Sequence, residues 1–136
     1  MARILGIDYG IKRVGVAATD ELQIIVNPLK TVNTNTFLDF LKMYLKNEEV
    51  EKIVFGYPTH KDGTPTYVVD EIKTFIKTFE KLYPKIAIDF QDENYTSVQA
   101  LDIMIQSGLS KKQRKDKSRL DRLSAVLILQ RYLKHI

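Results

Sequence analysis

The sequence predicts an α/β fold in which helices cover both faces of a mixed five-stranded sheet, with an antiparallel three-stranded meander joined to parallel strands. Three strand patterns follow one another in the first 32 residues, and beyond them strand and helix patterns alternate. Such alternation implies parallel pairing in the second half of the chain. With 136 residues, 44% of them hydrophobic and 28% charged, the chain has the size and composition of one soluble domain spanning residues 1–136.

The meander is predicted by alternating apolar segments near the start of the chain. Residues 3–9 alternate and end at Gly10, which is typical of a strand that enters a tight turn. Residues 14–19 and 23–32 predict the next two strands, with two acidic residues between them. Pro28 cannot donate a backbone hydrogen bond, so we expect a bulge or a sheet edge at this position.

Helical spacing and capping signals predict four helices in the rest of the chain. They lie at about 34–45, 69–82, 96–108 and 118–133. Short alternating segments predict strands at 52–56 and 85–91. The last helix is apolar on nearly every side, so we expect it to be deeply buried against the sheet.

Composition limits the chemistry that this chain can perform. It has no cysteine and only two histidines, which excludes disulfides, thiolate metal sites and cysteine nucleophiles. The formal net charge of +4 favours an anionic partner. No apolar run approaches the roughly 18 residues of a membrane span, and no secretory signal precedes the first strand, so we expect a cytoplasmic protein without a membrane partner.

Two of three candidate acidic residues end or interrupt apolar strands. Asp8 lies within the first strand, where dehydration of an isolated carboxylate is costly unless a partner or a metal compensates it. Alternatively, its side chain caps the following turn. Asp92 and Glu93 end a strand at the edge where ligands gather in α/β sheets, and by alternation only one of them faces the site. An exposed acidic pair before a helix is the alternative.

The third candidate, Asp121, stands in the first turns of the most apolar helix and shares a face with Ala125, Ile128 and Tyr132. An ion pair with a neighbouring arginine, Arg119 or Arg122, is the structural alternative.

Together these carboxylates predict a site for hard divalent cations. All-oxygen coordination suits Mg²⁺ or Mn²⁺, and two such ions can clamp a phosphodiester between them. We therefore expect a two-ion site in which Asp8 bridges the ions.

Basic residues near these acids predict contacts with nucleic-acid phosphates. Lys12 and Arg13 occupy the turn after the first strand. Seven of the twelve residues from 111 to 122, among them Lys117, are lysine or arginine, and this run leads into Asp121. We expect phosphate contacts above all from Lys111, Lys112, Arg114 and Lys115. A solvated charged loop is the alternative for this run.

Four blocks of the chain resemble the YqgF or RuvX family of ribonuclease H-like proteins. They are residues 4–17 (ILGIDYGIKRVGVA), 56–64 with Gly-Tyr-Pro and Asp-Gly-Thr, 92–97 (DENYTS) and 121–133 (DRLSAVLILQRYL). The resemblance implies a metal-dependent nuclease with Asp8, Glu93 and Asp121 as its acidic triad. Asn94 departs from the family pattern, which usually has arginine there.

The same resemblance implies processing of the 5′ end of pre-16S rRNA, with pre-rRNA and ribosomal precursor particles as partners, or resolution of branched DNA. A monomer and a weak homodimer both remain open, because a two-fold junction calls for a dimer and rRNA trimming does not. Two other classes also stay open. These are a non-catalytic nucleic-acid-binding module and an actin-like nucleotide-binding protein, although the latter needs two such domains.

Overall fold

The computed structural model describes residues 2–58, 66–92, 102, 103, 105, 106, 108 and 116–136. In chain order the strands and helices are β1 (Arg3–Tyr9), β2 (Arg13–Thr19), β3 (Val26–Asn33), a short 3₁₀ turn (Thr34–Thr36), α1 (Phe37–Asn47), β4 (Val50–Tyr57), α2 (Val68–Leu82), β5 (Ala87–Asp92) and α3 (Lys117–Tyr132).

The strands form one mixed sheet in the order β3-β2-β1-β4-β5. Strands β1, β2 and β3 pair antiparallel, whereas β4 pairs parallel with both β1 and β5. The predicted five-stranded mixed sheet is therefore confirmed. Pro28 lies on the edge strand β3 opposite Ala17 of β2, next to a shift in the β2–β3 register, as expected from its missing N–H.

Two strands begin later than predicted, each because a turn holds the preceding residues. The Asp20 carboxylate accepts hydrogen bonds from the backbone N–H groups of Ile24 and Ile25, so β3 starts at Val26 rather than at residue 23. The N–H of Ile86 donates to the carbonyl of Tyr83, and β5 accordingly starts at Ala87 rather than at residue 85.

The predicted helix at 96–108 lies largely outside the described residues. Of its residues, Asp102, Ile103, Ile105 and Gln106 are described and are helical. Gly108 has a φ of +76°, the left-handed conformation in which glycine commonly ends a helix.

Apolar side chains on the two faces of the sheet contact different helices. On one face, Leu5 and Ile7 of β1 join a buried cluster that includes Phe37 of α1 and Phe79 of α2. On the other face, strand residues including Ile4 and Val54 pack against Ile128 and Leu129 of α3. Residues 124–129 of α3 are all buried, as its apolar sequence predicts. No helix in the described part of the chain is long and apolar enough to span a membrane.

A polar network ties the end of α3 to the sheet. The hydroxyl of Tyr132 donates to Asp89 at 2.6 Å and accepts from Nζ of Lys52 at 2.8 Å, and that ammonium also lies 5.1 Å from the centre of the Tyr132 ring. The Tyr132 hydrogen bond lowers the pKa of Asp89, and the same hydroxyl raises the pKa of Lys52.

Removing this hydroxyl should cost a small, pH-dependent part of the stability. We expect Tyr132→Phe to lower the free energy of unfolding by about 0.5–1 kcal/mol at pH 7, because its hydrogen bond to Asp89 is exposed and that from Lys52 is only partly buried. The pKa of Asp89 is lower in the folded protein than the ordinary aspartate value. The hydrogen bond of ionised Asp89 therefore stabilises the fold fully above the ordinary aspartate pKa, and this stabilisation is lost as pH falls through the lowered pKa. Urea unfolding of both proteins at pH 7 and pH 2 tests this. An equal difference at the two pH values would contradict it.

Candidate active site

The candidate site is a pocket of about 430 Å³ at the carboxyl end of the central strand β1. It is bounded by the β1–β2 turn and by the beginnings of α2 and α3. The pocket is lined by Asp8, Gly10, Ile11, Lys12, Arg13, Tyr67, Val68, Lys117 and Asp121.

Side chains alternate between the two faces of β1, and this alternation places Asp8 in the pocket. Ile7 and Tyr9 belong to the buried cluster under α1 and α2, so Asp8 lies on the opposite face, which α3 covers. Its side chain is half-buried, whereas the preceding residues from Ile4 to Ile7 are buried. The strand thus presents one partly accessible carboxylate at the point where its apolar run ends.

Gly15 brings Asp121 next to this carboxylate. Gly15 is the antiparallel partner of Asp8 in the β1–β2 ladder. A Cβ atom at Gly15 would lie 2.1 Å from the backbone oxygen of Asp121 and 3.1 Å from its Cβ. Gly6 of β1 allows a similar close contact farther along α3, since an added Cβ there would lie 2.9 Å from the backbone oxygen of Ala125. The missing side chains let α3 lie directly on the sheet, which places Asp121 beside the Asp8 position.

Asp121 forms an ion pair across the pocket with Arg13. Nε of Arg13 donates to Oδ2 of Asp121 at 2.7 Å, and the side chains are 36% and 18% exposed, respectively. The partner predicted from helix neighbours, Arg119 or Arg122, is not the one in this ion pair. A residue 108 positions earlier in the sequence fills that role, because β2 runs beneath the start of α3. Arg13, predicted to contact phosphate, thus has a carboxylate partner.

The start of α3 is fixed by its own capping residue. The side chain of Asp116 accepts hydrogen bonds from the N–H groups of Ser118 and Arg119, and the helix begins at Lys117. Thr31 of β3 donates its hydroxyl hydrogen to the carbonyl of Ser118 at 2.7 Å. Cap and strand together hold the first turn of α3, which begins at Lys117 and leads into Asp121, against the sheet.

Several predicted site residues lie outside the described part of the chain. They are Glu93, Lys111, Lys112, Arg114 and Lys115, together with Asn94. Within the described residues, no group of three or more acidic or histidine side chains is arranged to hold a metal ion. The two described members of the predicted triad, Asp8 and Asp121, line the same pocket, as does Lys12.

Side chains alternate along β5 up to its last residue, Asp92. The Phe90 ring is tilted against Phe55 and meets Tyr57 edge-on, on the face of α1 and α2. Asp89 instead accepts a hydrogen bond from Tyr132 of α3 on the other face. Asp92 is exposed and pairs with Tyr57, and as an even-numbered residue it lies on the same face of the sheet as Phe90. The face of Asp8 and Asp121 is therefore the face of the odd-numbered β5 residues.

Two features of the pocket were not predicted from the sequence. Tyr67, which is 71% exposed, lines the pocket, and Gly15 controls the approach of α3. Lys117, which also lines the pocket, belongs to the predicted basic run. A glycine inside a strand, here between Val14 and Val16, is a known signal of close backbone approach, so Gly15 could have been found. For Tyr67, which directly precedes α2, we find no comparable sequence signal.

Sequence comparison identifies the family. The profile described as "RuvX: Holliday junction resolvase" matches residues 2–135. The chain belongs to the RuvX family. A Christiangramia forsetii protein named "Putative pre-16S rRNA nuclease" is 47% identical over 133 residues, covering 98% of each chain. A protein of the same name from Phocaeicola vulgatus is 46% identical over 133 residues, covering 98% of this chain and 96% of its own length.

Solved structures agree with this RuvX assignment at the level of the fold. Fowlpox virus resolvase in complex with Holliday junction DNA superposes with a TM-score of 0.58 at 15% identity, covering 98% of this chain and 97% of that one. T. thermophilus RuvC in complex with a Holliday junction substrate gives 0.53 at 15% identity, covering 98% and 96%. The ribonuclease H-like fold predicted from the sequence is thereby confirmed.

Proposed function

We propose that this RuvX protein is a metal-dependent nuclease that hydrolyses phosphodiester bonds of pre-16S rRNA during 5′-end processing. The observation that carries the proposal is the meeting of Asp8 and Asp121 in one pocket with Lys12 and Lys117. Acidic and basic side chains that converge from separate elements can bind cations and phosphate side by side. The names of the close relatives supply the substrate class.

The residues present suit Mg²⁺ or Mn²⁺. Asp8 and Asp121 offer the carboxylate oxygens that these ions prefer, and the chain has no cysteine thiolate that would favour a softer metal. The hydrogen bond from the Arg13 guanidinium to Asp121 indicates that the carboxylates of this pocket favour a positively charged partner. When bound, divalent cations there would activate a water and stabilise the leaving oxygen of the phosphodiester.

We propose Glu93 as the third acidic ligand. In the sequence Glu93 continues the odd-numbered positions of β5. Asp89, which occupies one of these positions, accepts a hydrogen bond from Tyr132 of α3, on the face of the sheet where Asp8 lies. The same alternation argues against Asp92, which follows the even positions. Glu93, Asp8 and Asp121 also match the acidic signature that the RuvX resemblance implies.

The basic side chains would hold the phosphate backbone rather than read its sequence. Lys12 and Lys117 both line the pocket, one on the β1–β2 turn and one on the first turn of α3. We extend this role to Lys111, Lys112, Arg114 and Lys115, which precede α3 in the sequence. Their charge would continue the track of positive potential from Lys117.

Incubation with two substrates tests the proposal. Pre-16S rRNA fragments and four-way DNA junctions are each incubated with the protein in Mn²⁺ or in EDTA. We expect cleavage of the rRNA precursor in Mn²⁺ only. Failure to cut either substrate, combined with metal-independent binding of both, would reject the nuclease proposal in favour of a binding module.

Junction resolution is the second candidate, favoured by the description of the family as Holliday junction resolvases. Mn²⁺-dependent cleavage of the four-way junction, without cleavage of the rRNA precursor, would select it. That outcome keeps the same acidic site and changes only the nucleic acid that occupies the pocket.

Loss of the two pocket lysines should weaken nucleic-acid binding. We expect the Lys12→Ala, Lys117→Ala double variant to bind RNA about 10-fold more weakly and to reduce the slope of log K against log salt by about 0.7 per lost phosphate contact. Fluorescence anisotropy at several salt concentrations measures both quantities. Lys42→Ala serves as the control, because Lys42 is exposed on α1, which covers the opposite face. An unchanged salt slope in the double variant would contradict the assigned role.

A further inference from the structure

The guanidinium of Arg13 is hydrogen-bonded to a carboxylate oxygen of Asp121, a proposed metal ligand. Its Nε lies 2.7 Å from Oδ2 of Asp121, and both side chains line the pocket that also contains Asp8. Asp121 is only 18% exposed, so water replaces this hydrogen bond poorly and a cationic partner matters more than at an open surface.

The backbone of Arg13 is anchored, whereas its side chain has room to move. The Arg13 carbonyl accepts from the N–H of Gly10 at 2.9 Å, and Arg13 pairs with Asn33 in the β2–β3 ladder. The side chain is 36% exposed at the pocket wall. A rotation about its side-chain bonds can therefore release Asp121 without moving the strand.

We propose that Arg13 is an internal counter-ion that competes with the divalent cation for Asp121. Two carboxylates in one pocket repel each other, and the guanidinium neutralises part of that charge while no metal is bound. A divalent cation coordinated by Oδ2 of Asp121 supplies the same neutralisation and takes the oxygen atom that accepts from Nε of Arg13. At this oxygen Arg13 and the metal are therefore alternative partners, and coordination there displaces the guanidinium. This inference rests on the proposed function, since it concerns the same site.

Metal binding without substrate tests the competition. Calorimetric titration with MnCl₂ is carried out on the wild type, Arg13→Gln and Lys12→Gln. Lys12 is the matched control, because it lines the same pocket and its loss removes the same unit of charge. We expect Arg13→Gln to bind Mn²⁺ about 3- to 10-fold more tightly than the wild type, and Lys12→Gln to show a clearly smaller gain. Equal gains, or weaker binding by Arg13→Gln, would overturn the proposal.

A titration of the wild type with Mg²⁺ provides a test that does not depend on any variant. The Nε–H resonance of Arg13 in ¹⁵N NMR spectra reports its hydrogen bond to Asp121. We expect this resonance to shift toward the position of free arginine side chains in step with metal binding. An Arg13 signal that stays unchanged at saturating Mg²⁺ would overturn the competition.

Asp8→Asn separates failure of this inference from failure of the proposed function. Mn²⁺ binding that is lost in Asp8→Asn but is indifferent to Arg13→Gln would reject the counter-ion role alone. If Mn²⁺ binds no better to the wild type than to Asp8→Asn, both the metal site and the competition are rejected.

Discussion

Asp8→Asn is expected to reduce Mn²⁺-dependent cleavage by more than about 100-fold while the protein remains folded. Loss of residues that merely orient metal ligands already costs about 10- to 100-fold, and removal of a ligand charge should cost more. Asp8 is half-buried at the end of the apolar strand β1 and faces α3 across the pocket. Asparagine keeps the shape of this side chain and removes the negative charge that would bind the cation.

Asp39→Asn is the matched control for this prediction. Asp39 lies exposed in the first turn of α1, on the other side of the sheet, and its replacement makes the same chemical change. Initial cleavage rates at saturating Mn²⁺ and urea unfolding curves are measured for both variants. Cleavage by Asp8→Asn at the rate of Asp39→Asn would remove Asp8 from the mechanism.

Gly15→Ala is expected to have the largest effect on stability and to disrupt the site as well. The added Cβ would lie 2.1 Å from the backbone oxygen of Asp121 and 2.5 Å from its carbonyl carbon, so the helix must move away from the sheet. Overpacking of this kind costs about 1–3 kcal/mol and occasionally more. Since the clash falls on Asp121 itself, the displacement also separates this carboxylate from Asp8.

Gly6→Ala allows the two effects to be distinguished. Its Cβ would meet Ala125 and Leu129 at 2.9 Å, farther along α3 than Asp121. Both variants should lower the urea midpoint, but Gly15→Ala should lose more Mn²⁺ affinity than Gly6→Ala at temperatures where each is folded. Equal Mn²⁺ affinities in the two variants would contradict the role assigned to Gly15.

Patterns along the chain are sufficient to predict most of this fold. The alternation of β1, the helical spacing of α2 and the apolar sequence of α3 each describe a face that has to be buried. The start of β3 could not be read this way. The apolar residues before Val26 continue the strand pattern, but the Asp20 side chain holds them in a turn.

The candidate site was predictable in its residue types and less so in its contacts. Asp8 and Asp121 could be selected because a carboxylate in an apolar segment requires compensation. That Arg13 compensates Asp121 depends on the packing of α3 over β2, which involves residues far apart in sequence. Local spacing favoured Arg119 and Arg122 instead, since neighbours on one helix are all that such spacing reveals.

Anomalous diffraction from crystals grown with Mn²⁺ tests the central claim most directly. We predict manganese density in the pocket at the end of β1, within bonding distance of the carboxylates of Asp8 and Asp121. Manganese bound elsewhere, or an empty pocket at a concentration that supports cleavage, would contradict the metal site proposed for these two residues.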